Sequence, residues 1–234
     1  MDNKKAFELS RKILKEVFGR EIHLSLEEIE KKFAFDIPLP SRVKCDLSGK
    51  ETWIFSAEKE FKIASQRAVA ERFKKDEWVR PKRPIKSIED ILRYWKEINY
   101  LTAEKQINSK EVVCSDGVYN SLEIYKSVSV FDSKKLVFCY KIVNSSYMLA
   151  SRDSLGCSFG VRVNDSVYCS SSFEVSWSNK VSRSFFIHDS FDLYECMFCS
   201  HLRSKRYFIA NMPFEKQEYF KIKRMVVEWI LNGN

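Results

Sequence analysis

The chain is poor in the residues that many functional motifs require. Its 234 residues include only 6 glycines, 5 prolines and 3 histidines, so neither a glycine-rich phosphate loop nor a low-complexity tail is present. No apolar run approaches the ~20 residues of a membrane span, and the opening MDNKKAFELSRK lacks the apolar core of a signal peptide. We therefore expect a chain made in the cytosol, neither secreted through a signal peptide nor inserted in a membrane.

Cysteine count and charge leave several partner classes open. Seven cysteines is an odd number without a secretory signal, which favours free thiols over a full disulfide framework. The formal net charge of +8 suits an acidic partner such as nucleic acid, an anionic membrane surface or an acidic protein. A hydrophobic content of 44% predicts a folded chain with a substantial core.

Apolar and small residues alternate at every third position from residue 112 to residue 202. The series begins Val112, Ser115, Val118, Ser121, Ile124, Ser127, Val130, Ser133, and no charged residue occupies any of its positions. An α-helix needs a spacing near 3.6 and a flat strand needs 2, so a period of 3 fits neither. The pattern predicts a narrow parallel β-solenoid with one inward residue per triplet and about 12 residues per coil.

Four triplets per coil predict four inward columns. The column that starts Val118, Val130, Ile142 continues as Ser154 and Ser166. Apolar columns thus become serine columns halfway up, unless a three-residue insertion near 151–154 restores the register, and the sequence leaves both alternatives open. Serine suits these slots because the bore is narrow and its hydroxyl can bond backbone groups.

The predicted fold class is α+β. We expect a mainly α-helical region over 1–108, the solenoid over 109–211 and a C-terminal capping helix over 212–234. The last helix is predicted to have Pro213 near its first turn and Ile230 on its apolar face.

Several helix signals support the N-terminal prediction. Ser25 and Glu28 form the pattern of a capping box, and Ser87 is placed to cap a helix that follows it. Residues 61–78 also read as a helix, whereas TWIFS, residues 52–56, reads as a short strand or buried turn. One helical face near the start is lined by Ala6, Leu9, Ile13 and Val17.

The segment DLYECMFCSHLRSKRYFIANMPFEKQEY resembles an uncharacterised cysteine-rich repeat family of small-genome bacteria and environmental sequences. The resemblance covers roughly residues 110–222 and implies a period-3 β-solenoid with no known activity; most of that family's cysteine positions carry serine here. Insect antifreeze solenoids are similar in repeat length, but they display outward threonine ladders. This chain has almost no threonine, so ice binding is not expected.

Catalytic and metal-binding patterns are weak. Cys196, Cys199 and His201 resemble half of a zinc site, but both cysteines fall in inward slots and no second ligand pair is present. The three histidines lack a nucleophile and an orienting acid in any known arrangement. We therefore predict no metal, no cofactor and no enzymatic activity.

A basic stretch with interleaved aromatics precedes the second half of the helical region. Phosphate binding with base stacking is one interpretation, and a solvated helix end interrupted by Asp76 and Glu77 is the other. The candidate residues for nucleic-acid contact are Arg72, Lys74, Lys75, Arg80, Lys82, Arg83 and Lys86.

Two outward apolar stripes need covering. The early stripe, which we expect to receive the N-terminal helices, consists of Tyr119, Tyr125, Phe131, Val137, Val143 and Leu149. The late stripe, a candidate interface with a partner subunit or a second copy, consists of Phe173, Phe185, Phe191 and Met197. The resulting expectation is a structural or assembly protein that presents apolar stripes within a larger complex, for example a virion. The alternative is a nucleic-acid-binding module that uses residues 72–86.

Overall fold

A computed structural model describes residues 1–55 and 61–232. It confirms a parallel β-solenoid of about nine coils, with about 12 residues per coil, preceded by a helical region and followed by a C-terminal helix. The coils begin at residue 106 and end at residue 209, slightly beyond the limits of the inward pattern.

The N-terminal region contains two small sheets besides its helices. Its elements are α1 (Asn3–Phe18), α2 (Leu26–Phe33), β1 (Ser41–Lys44), β2 (Glu51–Ile54), β3 (Lys62–Ser65), α3 (Gln66–Lys74), α4 (Ile88–Ile98) and β4 (Tyr100–Ala103). Strands β1 and β2 pair antiparallel, and β3 and β4 pair parallel. The prediction of a mainly α-helical region is therefore correct for α1, α2 and α4 but incomplete.

The helix predicted over 61–78 is wrong at both ends. The Ser65 side chain accepts a hydrogen bond from the Ala68 N–H at 3.3 Å, so Ser65 is the N-cap and the helix starts after it. The residues before Ser65 form β3, and the helix ends at Lys74. The predicted caps at Ser25 and Ser87 are confirmed.

Short parallel strands form the solenoid. They are β5 (Gln106–Ile107), β6 (Lys110–Val113), β7 (Asp116–Tyr119), β8 (Leu122–Tyr125), β9 (Val128–Phe131), β10 (Lys134–Val137), β11 (Tyr140–Val143), β12 (Ser146–Leu149), β13 (Arg152–Leu155), β14 (Ser158–Asn164), β15 (Ser170–Ser176), β16 (Asn179–Ser182), β17 (Phe185–His188), β18 (Phe191–Tyr194), β19 (Met197–Ser200), β20 (Arg203–Arg206), β21 (Phe208–Ile209) and β22 (Met212–Pro213). Each residue of a coil pairs with the residue twelve positions later, as Val118 does with Val130.

The last strands turn the chain back along the rod. Strand β22 pairs antiparallel with β21, and α5 (Lys216–Asn232) follows. Pro213 therefore lies in β22, three residues before the first residue of α5. The Tyr207 and Tyr219 rings lie 5.5 Å apart, so α5 starts against the final coil.

A corner closes every triplet. The residue before each inward position has a positive φ, as in Asn120 (+49°) and Tyr168 (+54°). Glycine occupies only two of the regular corners, Gly117 and Gly156. Ordinary side chains adopt the left-handed conformation at the others, because the coil-to-coil hydrogen bonds on either side hold the backbone there.

The twelve-residue register runs without interruption through the middle of the rod. Ile142 pairs with Ser154 and Met148 with Gly160, so no insertion restores the columns. The inward columns do exchange their apolar and small residues there. A Cβ on Gly160 would lie 2.6 Å from Met148 Cε and 2.8 Å from Val163 Cγ2, so a larger residue there requires these side chains to move.

Inward serines satisfy the backbone at the corners between strands. The Ser127 hydroxyl donates to the Tyr125 carbonyl and accepts from the Cys139 N–H, both at 2.9 Å. The Ser127 N–H in turn donates to the Ser115 hydroxyl at 3.0 Å. Repeated along the rod, this ladder joins each coil to the next through buried hydrogen bonds.

The helices α1, α2 and α5 cover one side of the rod. The Phe18 ring at the end of α1 lies 5.1 Å from Phe173 and 5.7 Å from Phe185. The buried outward column beneath these helices consists of Tyr125, Val137, Leu149, Val161, Phe173, Phe185 and Met197. Tyr125, Val137 and Leu149 of the early stripe thus receive the N-terminal helices as predicted. The prediction is wrong for Tyr119, Phe131 and Val143, which lie outside this covered side.

Arg162 fastens this helical layer to the rod. Its buried guanidinium donates to the Phe33 carbonyl at 2.7 Å, and it forms ion pairs with Asp36 and Glu174. Burial opposes ionisation of Asp36, but the hydrogen bond and charge of Arg162 outweigh it and hold the Asp36 pKa below its usual value. Arg162 was not identified in the sequence, although Glu174 lies twelve residues further along the chain.

Candidate functional site

The three weak candidates for metal ligands, Cys196, Cys199 and His201, do not converge on one site. Cys196 and Cys199 lie inside the bore, whereas the His201 side chain is 73% exposed and bonds Asp189 at 2.8 Å. A hydrogen bond from the Cys196 thiol lowers the pKa of Cys199 to about 7, yet both sulfurs are enclosed by the coil. Within 1–55 and 61–232 no group of three or more metal-ligating side chains is found.

Most basic side chains of the stretch 72–86 form ion pairs with nearby glutamates. Five of its seven charges form ion pairs: Arg72 and Lys75 with Glu77, Lys74 with Glu71, and Arg80 and Arg83 with Glu97. Lys82 and Lys86 are exposed. Contact with nucleic acid through these residues stays a prediction, on a surface less positive than its sequence indicates.

The predicted partner interface is divided by the fold. Phe173, Phe185 and Met197 are buried beneath α1 and α5, so their assignment to a partner surface is wrong. Phe191 lies half a coil away from that column, on the opposite side of the rod, and is 41% exposed. The period of the sequence identifies the outward positions, but it does not indicate which of them the helices cover.

An exposed apolar column runs along the side of the rod that the helices leave open. We name this set the exposed column; its apolar members are Ile107, Tyr119, Phe131, Val143, Leu155, Val167 and Phe191. Tyr119 and Val167 are half-buried, and the other five are exposed. The Tyr119 and Phe131 rings stack at 4.9 Å, one above the other on successive coils. Seven coil spacings of ~4.8 Å separate Ile107 from Phe191, about 34 Å in all. Polar Asn179 interrupts the apolar series between Val167 and Phe191.

Acidic corners flank the exposed column. On one side the corner residues are Ser129, Lys141, Asp153, Asp165, Trp177 and Asp189; on the other they are Asn120, Asp132, Asn144, Gly156, Tyr168, Lys180 and Asp192. Five aspartates against two lysines make this face negative, although the whole chain carries +8. The surface thus differs in charge from the rest of the protein.

A cavity lies at each end of the exposed column. One, of about 470 Å³, lies between Phe55 and Phe61 on the N-terminal side and Tyr119 and Phe131 on the rod. The other, of about 430 Å³, is lined by Trp177, Phe191 and His201 among others. Each cavity is large enough to receive a side chain, so the surface around the exposed column includes two concave sites.

Helix α4 presents a second apolar surface. Its polar side is held by the segment before it: Arg83 pairs with Glu97 at 2.8 Å, and the Lys86 N–H donates to Asp90 at 2.9 Å. Its opposite side is solvent-exposed, and we name it the α4 face; it consists of Ile88, Ile91, Leu92, Trp95 and Ile98. An amphipathic helix of a soluble domain usually turns such a face inward.

Comparison with protein-family models, curated proteins and solved structures finds no match. Across the described residues, none of the helices combines the length and apolar character needed to cross a membrane.

Proposed function

We propose that the protein is a non-enzymatic assembly component that binds a protein subunit along the exposed column. The supporting observation is the strip of apolar side chains itself, about 34 Å long, which no helix of the described chain covers. Apolar surface of this extent is typical of interaction sites, because leaving it in water is unfavourable.

The flanking charges indicate the chemistry of the partner. Asp132, Asp153, Asp165 and Asp189 line the strip and repel phosphate, so nucleic acid is disfavoured on this face. A subunit with an apolar ridge bordered by lysine or arginine is complementary to it. The two end cavities suit large side chains of that ridge, in the way that interface anchors fill pockets. A multi-subunit particle such as a virion is one setting for such a rod.

A matched pair of variants tests the proposal in the source cell. Leu155 on the exposed column and Leu122 on a neighbouring column are 39% and 41% exposed. We expect the wild-type chain and Leu122→Glu to sediment with a large particle, and Leu155→Glu to sediment as a free chain, because the new charge opposes the apolar contact. Circular dichroism of the purified variants confirms that both fold.

Two outcomes contradict the proposal. One is a wild-type chain that sediments as a free small species in a gentle extract of its source. The other is equal particle association of Leu155→Glu and Leu122→Glu, since that result places the contact elsewhere on the molecule.

A further inference from the structure

The α4 face is a separate interaction surface from the exposed column, and we propose that it pairs antiparallel with the α4 face of a second copy of this chain. The inference does not depend on the proposed function of the rod. It explains why the chain builds an amphipathic helix whose apolar side is exposed to solvent.

The spacing of the α4 face is that of a helix-pairing seam. Ile88, Ile91, Trp95 and Ile98 are separated by three, four and three residues, which is the alternation of the a and d positions of a heptad. Leu92 broadens the seam beside Ile91 and Trp95. Side chains at these positions pack against a facing helix, whereas a helix that lies alone gains nothing from them.

The face is symmetric about its centre. Ile88 and Ile98 are equidistant from Arg93, and so are Ile91 and Trp95. A two-fold axis beside Arg93 therefore places Ile88 of one copy against Ile98 of the other, with Ile91 against Trp95. Such self-complementarity is the requirement for an isologous dimer.

Charges beside the seam select the antiparallel direction. Glu89 and Lys96 lie two turns apart on the same flank of α4. In the two-fold arrangement this flank of one copy runs antiparallel beside the same flank of the other, so Glu89 of each copy lies near Lys96 of the other and two ion pairs can form. In a parallel pair the two copies of this flank lie on opposite sides of the seam, so these charges do not meet. Neither residue forms an ion pair within the part of the chain that the structure describes.

The same charges disfavour a lipid surface as the occupant. Helices that lie on anionic membranes carry mostly lysine and arginine on their polar side. Helix α4 carries three acids, Glu89, Asp90 and Glu97, against Arg93 and Lys96. A second copy therefore fits this helix better than an anionic bilayer does.

The proposed contact is small. Helix α4 has 11 residues, which at 1.5 Å per residue gives a seam about 16 Å long. That is short of a standard protein interface, so we expect a weak dimer with a dissociation constant on the order of 10 µM.

Sedimentation velocity of the purified full chain, from about 1 to 300 µM, tests the proposal. We expect a concentration-dependent monomer–dimer equilibrium in the wild type and a monomer throughout the range for Trp95→Glu. Glu89→Lys replaces two attractive pairs by two repulsive ones and should weaken the dimer about tenfold. The double variant Glu89→Lys/Lys96→Glu restores both pairs and should return the dissociation constant to within about twofold of the wild type.

The variant Leu155→Glu serves as the control. It disrupts the exposed column and should leave this dimer unchanged, so the two surfaces are tested independently. Because Glu89 and Lys96 are exposed, the charge exchange reports on pairing even if Trp95→Glu alters the fold. A monomeric wild type, a dimer that survives Trp95→Glu, or a double variant no better than Glu89→Lys overturns the proposal. So does binding of the monomer to vesicles of anionic lipid that Trp95→Glu abolishes.

Discussion

Helices α1 and α4 are both amphipathic, but they turn their apolar faces in opposite directions. Ile13 of α1 is fully buried against the rod, whereas Trp95 of α4 is 54% exposed and the polar side of α4 faces the chain. The spacing of apolar residues thus identifies the apolar face of a helix. It does not indicate whether that face packs against the same chain or stays exposed in the monomer. Charged residues on the opposite side decide the orientation here, since Glu97 and Asp90 are held by the preceding segment.

The largest difference between the two helices should appear when a charge replaces an isoleucine. Ile13→Asp places an unpaired carboxylate in the core and should cost at least about 4 kcal/mol, enough to unfold the α1 layer. Ile91→Asp on α4 should change stability by less than about 0.5 kcal/mol. Denaturant titration followed by circular dichroism measures both. Equal destabilisation by the two substitutions contradicts the outward orientation of α4.

The arginines that fasten the two helical regions give a second contrast. Arg162→Met leaves a buried carbonyl and two carboxylates without their donor and should cost about 3 kcal/mol. Arg83→Met removes an ion pair that is partly exposed to solvent and should cost at most about 1 kcal/mol. Denaturation midpoints in urea separate the two, and a larger loss at Arg83 shows that α4 is integrated into the core.

The Arg162 contribution should also depend on pH. The pKa of Asp36 is lower in the folded chain than its ordinary value of 3.8, so the stabilisation is present above that value and is lost as the pH falls through the folded pKa. The difference in stability between wild type and Arg162→Met is therefore expected to shrink as the pH falls below about 4, so measurements between about pH 7 and about pH 2 test it. A constant difference over that interval shows that the loss comes from packing alone.

Removing matched N-caps should give the smallest effect. Ser25→Ala weakens α2, which packs with α1 through buried Ile29 and Phe33, and should lower the global stability by about 1 kcal/mol. Ser87→Ala should instead speed hydrogen exchange within α4 and leave global unfolding unchanged, since no α4 residue is fully buried. Exchange mass spectrometry at monomer concentrations resolves the two helices. Similar global losses in both variants mean that α4 unfolds with the core.

The solenoid was predictable because its period is strict and its inward slots exclude charge. Because residues twelve apart occupy the same position on successive coils, the period also predicts ion pairs between opposite charges at that separation. Among the residues that the structure describes, four such pairs are present: Glu123 with Lys135, Lys141 with Asp153, Arg162 with Glu174, and Arg183 with Glu195. The helix caps at Ser25 and Ser87 were also correct, because a side chain three residues from its acceptor or donor is a local signal.

The covered side of the rod was not predictable from the repeat. Phe185 and Phe191 are both outward, yet one lies beneath α1 and the other faces solvent. Their exposure differs because α1 packs over only one side of the rod. The position of the helical layer is fixed by contacts between residues far apart in sequence, such as the hydrogen bond from Arg162 to the Phe33 carbonyl. The start of α3 was missed for a local reason: the Ser65 cap outweighs the helical pattern that precedes it.

The exchange of inward columns in the middle of the rod also bears on how the chain folds. If all coils were identical, the packing of inward side chains would not specify which strands pair. A strand that skipped one coil would then gain nearly the same stabilisation as one that paired with its neighbour. Here Met148 needs the vacant space above Gly160. A strand that skipped ahead would offer Ser172, whose side chain occupies that space. The contact between Met148 and Gly160 thus distinguishes the native register at this level of the rod from a register that skips one coil.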